Sequence, residues 1–169
     1  VDALGAAEDV SVSPDGLRSW FESFRIIQAY EVWQSVGEWV KAAKPELGPG
    51  VKERIEFAST VTPAMHEEAS RKRASIRQRL ADILPPGHVL CLPTSPRVAP
   101  AVRTPADKLE IEYRNQAMCL LCISGHTGLP QVSVPLATLD GLPLGLSLIG
   151  RAGTDVDLLA VPGALMKSA

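Results

Sequence analysis

Ser124, His126 and Asp140 are the residues of this 169-residue chain whose types could compose a nucleophile, a base and an orienting carboxylate. Their context argues against that use. A nucleophilic serine ordinarily stands in a strained, glycine-flanked turn of the GxSxG kind, and none occurs here. Ser124-Gly125-His126 reads instead as an ordinary helix C-terminus. Cys119 and Cys122 have the CxxC spacing of redox or zinc sites. No second pair follows them, no histidine stands at ligand spacing, and no strand-turn precedes them. With Cys91 they form an odd set, expected to be small buried hydrophobes in a reducing cytoplasm. His66, His88 and His126 are too scattered to suggest a metal site, and no GxGxxG or GxxxxGK(S/T) loop is present. The sequence therefore nominates no catalytic residue, no metal and no cofactor.

Arg71, Lys72, Arg73, Arg77 and Arg79 crowd one segment and invite a phosphate-binding reading. Glu67 with Arg71 and Glu68 with Lys72 are four apart in the favourable helical orientation, so a solvated face laced with ion pairs accounts for them. The net charge of −2 gives no reason to expect nucleic acid or an anionic membrane as partner. No apolar run approaches the roughly 20 residues needed to span a bilayer. Val1 to Asp9 has neither the basic region nor the apolar core of a signal peptide, and a cytoplasmic location is expected.

The elements that would position these residues can be read from spacing. Val10–Val12 is a short strand candidate, and Ser13-Pro14 a helix start. Trp20, Phe21, Phe24, Ile27, Val32, Val36, Trp39 and Val40 recur at mostly helical spacing, predicting a helix to about Lys44 that Gly37 would break. Its aromatic stripe is expected to pack in the core. Gly48-Pro49-Gly50 opens a short helix, and Thr62-Pro63 a longer one carrying Met65, Ala69, Ile76, Leu80 and Ile83. Val89–Leu92, wholly apolar between turn residues, predicts a strand buried on both faces. Pro93, Pro96 and Pro100 then impose an extended loop. Ala106 to Ser124 reads as a helix, polar and then apolar. Gln131–Val134, closed by Pro135, and Leu144–Ile149 read as paired strands around an Asp140-Gly141 turn, with a new helix starting at Gly153-Thr154-Asp155. Strands separated by helices predict an α/β class. The 46% hydrophobic content suffices for a sizeable core, with neither a repeat nor an internal domain boundary.

The order and spacing of Gly128-Leu129-Pro130 through Gly150 resemble the final hairpin of the amidase signature family. Leu92-Pro93-Thr94-Ser95-Pro96 resembles the strand-to-loop segment that borders that family's substrate cleft. Trp39 through Arg54 resembles the subgroup of indole-acetamide hydrolases and related plant and bacterial amidases. The resemblance implies a large mixed sheet covered by helices, and hydrolysis of a carboxamide to carboxylate and ammonia. It also implies a Ser-Ser-Lys triad in which a neutral lysine takes a proton through a bridging serine, while amides of a Gly/Ser-rich loop hold the oxyanion.

No Gly/Ser-rich loop occurs in this sequence, and none of Lys41, Lys44, Lys52, Lys72, Lys108 and Lys167 has a paired serine system to serve. No catalytic residue carries over. Residues 1–169 are thus expected to be the C-terminal portion of a single amidase domain without its catalytic N-terminal half, inactive alone. In that setting Thr94 and Ser95 would offer hydroxyls at the cleft rim, and Met118, Leu121 and Cys122 would line an apolar acyl pocket. The implied partners are a small amide substrate and either a complementing N-terminal half or a second copy. The resemblance departs at Pro162-Gly163, which should interrupt the helix that family members continue. Two other classes stay open: a non-catalytic remnant, and a helical interaction module using the Trp20–Trp39 face.

Overall fold

The computed structural model describes residues 5–168. Its elements run α1 (Leu17–Ala43), α2 (Val51–Thr60), α3 (Pro63–Ile83), β1 (Leu90–Pro93), a π-helical stretch (Lys108–Tyr113), α4 (Arg114–Thr127), β2 (Gln131–Leu139), β3 (Leu142–Ile149) and α5 (Asp155–Ser168). The strands form one antiparallel sheet in the order β1-β3-β2. Helices pack on both of its faces, which makes the chain α/β.

The N-terminal expectations fail locally. Val10–Val12 has no strand to pair with among the described residues, and the Ser11 and Val12 carbonyls accept from the Arg79 guanidinium at 2.6 and 3.4 Å. Ser13-Pro14-Asp15-Gly16 is a turn closed by the Gly16 amide on the Ser13 carbonyl, so the helix starts at Leu17. Nor does Gly37 break α1. The Trp33 indole lies over it, and a Cβ there would stand 2.9 Å from the ring, so the glycine makes room for an aromatic rather than a kink. The helix ends at Lys44 in the left-handed region, directly before Pro45.

The main core lies between α1, α3, α4 and the near face of the sheet. Trp20, Phe21, Ile76, Leu80, Cys122, Ile123 and Ile149 are buried there together. Each large aliphatic removed from water at such a site contributes about 2 kcal/mol. The aromatic stripe divides: Trp20 and Phe21 are core, whereas Trp39 is 56% exposed. The α1 stripe is therefore not one continuous binding face. A smaller cluster joins Ala29, Ala58 and Val61 where α1 meets α2.

Register decides which strand residues face which layer. Leu90, Ile149 and Gln131 stand opposite one another, as do Leu92, Ser147 and Ser133, and these rows face the helical core. Val134 and Leu148 alternate to the far face and pack on Leu158 and Leu165 of α5. That packing explains two corrections. β1 is not buried on both faces, because α5 covers Val134 and Leu148 while Cys91 and Pro93 stay exposed. And α5 runs on through Pro162, because Leu158, Val161 and Leu165 share the face held by the sheet. The hairpin turns at Asp140 and Gly141, both at positive φ (53° and 77°), the geometry of a two-residue type I′ loop. β2 continues past Pro135 to Leu139, and the proline falls in a register irregularity between Val134 and Ala137.

Candidate functional site

Helix α4 links two polar regions. Its C-terminal end meets a chain of hydroxyls on the core-facing side of the sheet. Thr94 Oγ1 lies 2.7 Å from Ser133 Oγ and 2.9 Å from Ser147 Oγ. Gln131 Nε2 donates to Ser147 Oγ at 2.8 Å, and Ser124 Oγ donates to Gln131 Oε1 at 2.6 Å. Five side chains from β2, β3, α4 and the residue after β1 are thus joined in one line. The Thr94 amide also donates to the Gly145 carbonyl at 2.8 Å. Gly145 must be glycine here, since a Cβ would come within 2.8 Å of both Thr94 Oγ1 and Ser133 Oγ. Thr94 was legible in the sequence. Its partners were not singled out, although Gln131, Ser133 and Ser147 mark every second position of their strands.

The other residues expected to touch substrate lie outside this line of side chains. Ser95 Oγ donates to the Arg97 carbonyl, which fixes the loop. Met118 packs against the main core, and Leu121 is 39% exposed on α4. Cys122 is fully buried, its thiol donating to the Cys119 carbonyl, with burial pushing its pKa up to about 12. It faces the core rather than a pocket. The three cysteines are free thiols.

Ser124, His126 and Asp140 do not form a triad. Ser124 is held by Gln131, and Asp140 sits at the exposed hairpin tip. His126 is fully buried, with Nε2 donating to the Trp20 carbonyl at 2.8 Å, close to Ser23 Oγ at 3.4 Å. Its Nδ1 has no partner among the described residues. Burial lowers its pKa from 6.5; the Trp20 carbonyl opposes this, and Arg73, Arg77 and Lys72 add to it. The neutral ring tethers α4 to α1. The basic run on α3 is likewise structural: Arg71 pairs with Glu67 at 2.7 Å, Arg73 reaches Glu31 on α1, and Arg77 donates to the His126 carbonyl. No Glu68–Lys72 pair is among the ion pairs of the described residues, and that expectation fails.

The leading end of α4 opens on a second region. Together with α1 and α2 it encloses a cleft of about 750 Å³, a volume typical of small-molecule sites. Ala29, Val32, Ile55 and Phe57 make its walls apolar, while the π-helix brings in Glu110 and Ile111. Arg54 Nη1 pairs with Glu110 Oε2 at 3.0 Å, across from α2. The Glu110 carboxylate presses on Gly50, where a Cβ would lie 2.9 Å from it and where φ is +77°. Arg25 covers the Phe57 ring at 3.8 Å. Nothing in the sequence announced the cleft, since Arg54 and Glu110 stand 56 positions apart. Among the described residues there is no cluster of histidine, cysteine or acidic side chains fit for a metal, and no helix long and apolar enough to cross a membrane.

A three-stranded antiparallel sheet lies between a helical layer and a closing helix, with a hydroxyl-lined face and an apolar cleft, an α/β scaffold. Comparison with known proteins makes the class specific. The model of the amidase family matches residues 18–159, and the chain belongs to that family. It is 34% identical over 143 residues to Amidase 1 of Arabidopsis thaliana, covering 85% of this chain and 33% of that protein. To Amidase 1 of Oryza sativa subsp. japonica it is 41% identical over 125 residues, 73% of this chain and 28% of the other. The crystal structure of an amidase superposes with a TM-score of 0.72 at 24% identity, over 90% of this chain and 36% of that one, a likeness of fold. The chain spans about a third of the length of these relatives.

Proposed function

We propose that the chain forms the C-terminal part of an enzyme that hydrolyses a small carboxamide to carboxylate and ammonia, and that it has no turnover alone. The observation that carries this is the family match over residues 18–159 in a sequence without any Gly/Ser-rich loop. A nucleophilic serine, its bridging serine and a lysine base would come from a portion of the family architecture that this sequence does not contain. The residues here would shape the site. Thr94, its hydroxyl fixed by Ser133 and Ser147, would present one oriented polar group at the rim, beside Ser95. Met118 and exposed Leu121, adjacent on α4, would form an apolar wall for the acyl group, whereas buried Cys122 would support that wall from behind. No cofactor is required by this chemistry, and the setting would be cytoplasmic.

Ammonia release from a panel of aryl and alkyl amides tests the proposal. The chain alone is expected to give none. The same chain mixed with the remaining N-terminal portion of a full-length amidase relative is expected to release ammonia, with Thr94→Val raising KM more than it lowers kcat. Turnover by the chain alone that Ser124→Ala or His126→Gln abolishes would overturn the proposal in favour of a triad within this sequence.

A further inference from the structure

The cleft between α1, α2 and the head of α4 contains charge that the hydrolase reading does not use. Three guanidinium groups line it, and two of them are engaged. Arg54 is paired with Glu110 at 3.0 Å, and the Arg25 guanidinium stands over the Phe57 ring, 3.8 Å from its centroid. The remaining cation, Arg114, has no hydrogen-bonding or ion-pair partner among the described residues. Its pKa is lowered by burial first and then by Arg54, with Glu110 opposing and Arg25 adding, so its surroundings are partly dry, and the negative charge of the lining carboxylates Glu53, Asp107 and Glu110 makes no hydrogen bond or ion pair to it among the described residues. Glu53 is engaged elsewhere, because its carboxylate caps α2 by accepting from the Gly50 amide at 2.6 Å. An unpaired guanidinium beside an apolar wall is a site of defined chemistry: planar donors for two oxygens, next to surface that favours a hydrophobic body.

The backbone supports this assignment independently of the charges. The residues that deliver Glu110 and Ile111 to the cleft are π-helical, whereas Arg114 begins the regular α-helix that follows. A widened turn of this kind re-aims side chains and recurs where helices carry binding groups. The glycine at position 50 lets the Glu110 carboxylate approach the backbone closely enough to stay on Arg54. Arg54 is thereby satisfied internally, and Arg114 is left for a ligand.

We infer that this cleft binds a small organic monocarboxylate with an aryl or alkyl body, its carboxylate on Arg114 and its body against Val32, Ile55 and Phe57. Glu110 sets the selectivity by occupying Arg54, so that one anionic group is accepted and not two. The inference stands whether or not the chain contributes to amide hydrolysis, because its readout is binding.

Isothermal titration of the full chain with 3-phenylpropanoate tests it, with 3-phenylpropanamide and acetate as the uncharged and the apolar-free controls. Saturable binding of the carboxylate is expected, at least tenfold tighter than either control and weakening as salt rises. Arg114→Met should weaken it about tenfold or more. Glu110→Gln, which frees Arg54, should tighten it severalfold, a gain that misfolding cannot produce. Equal affinity for acid and amide, no saturable binding to the unaltered chain, or no response to either substitution would overturn the inference.

Discussion

The helical layer and the sheet bury their surfaces to different extents. Trp20, Phe21, Ile76, Leu80 and Ile123 are each less than a tenth exposed, enclosed by three helices and one face of the sheet. The sheet is well covered only around Val134, Leu148 and Ile149. Leu139 and Leu142, beside the hairpin tip, are 47% and 50% exposed, and β1 leaves Cys91 and Pro93 in the open. Both outer strands also keep one unpaired edge in the three-stranded order. The core between the helices and the sheet is closed by residues of this chain and owes its stability to them, although the outer helix faces leave Trp39 and Ile111 exposed. A half-covered sheet is a surface on which further protein can pack, and the proposed reading places the rest of an amidase there.

Four measurements would break or sharpen that contrast. The largest effect is expected in the helical core: Leu80→Ala should cost about 3 kcal/mol in urea denaturation, whereas Leu142→Ala should stay within about 0.5 kcal/mol. Similar losses at both positions would show that the hairpin end is as well packed as the core. Next comes Gly145→Ala, which pushes a methyl into Thr94 and Ser133 and should destabilise by about 2 kcal/mol. Ser133→Ala in the same background should recover part of that loss if crowding against Ser133 Oγ, 2.7 Å from the added methyl, is the cause.

The third concerns the His126 tether. Its folded pKa lies below 6.5, so above that pH the ring is neutral in both states and stability is complete. As the pH falls below 6.5 the unfolded chain takes up the proton first, and stability is lost until the folded pKa is passed. Urea midpoints should therefore fall from pH 7.5 to 5.5, and less steeply in His126→Gln. An identical slope in the two proteins would remove His126 as the pH-sensitive joint. The smallest effect is expected on the solvated face of α3, where Glu67→Ala should change stability by less than about 0.5 kcal/mol despite its 2.7 Å contact with Arg71. A larger loss would mean that this face does more than meet water.

Much of the fold was legible because local signals and tertiary packing agreed. Thr62 does cap α3, accepting from the Met65 amide, and Asp140-Gly141 does turn the hairpin. Three of the four expected strands lie in one sheet, with Gln131–Val134 and Leu144–Ile149 as neighbours. The failures fall where the two diverge. Pro162 obeys a rule about isolated helices, and α5 is held by Leu158, Val161 and Leu165 on a sheet the rule does not consider. Lys108–Tyr113 consists of residues at home in any helix, so nothing in their types announces a π-turn. Of the expected site, Thr94 is nominated by the resemblance of Leu92–Pro96 to a strand-to-loop segment bordering a substrate cleft. The side chains joined to it, three hydroxyls and one carboxamide, come from positions 124, 131, 133 and 147, and only the fold brings them within reach.

The strand order also has a kinetic consequence. β2 and β3 are joined by two residues and can zip within microseconds of the turn forming. β1 reaches the same central strand from about sixty residues away, with Leu90 opposite Ile149, so its pairing must wait for a long loop to close. The hairpin is therefore a template that exists before its second neighbour arrives. Until β1 docks, the free edge of β3 is open to any extended segment, including the β1 of another molecule. Yield on refolding should accordingly fall with protein concentration more steeply than the native state's own solubility would require.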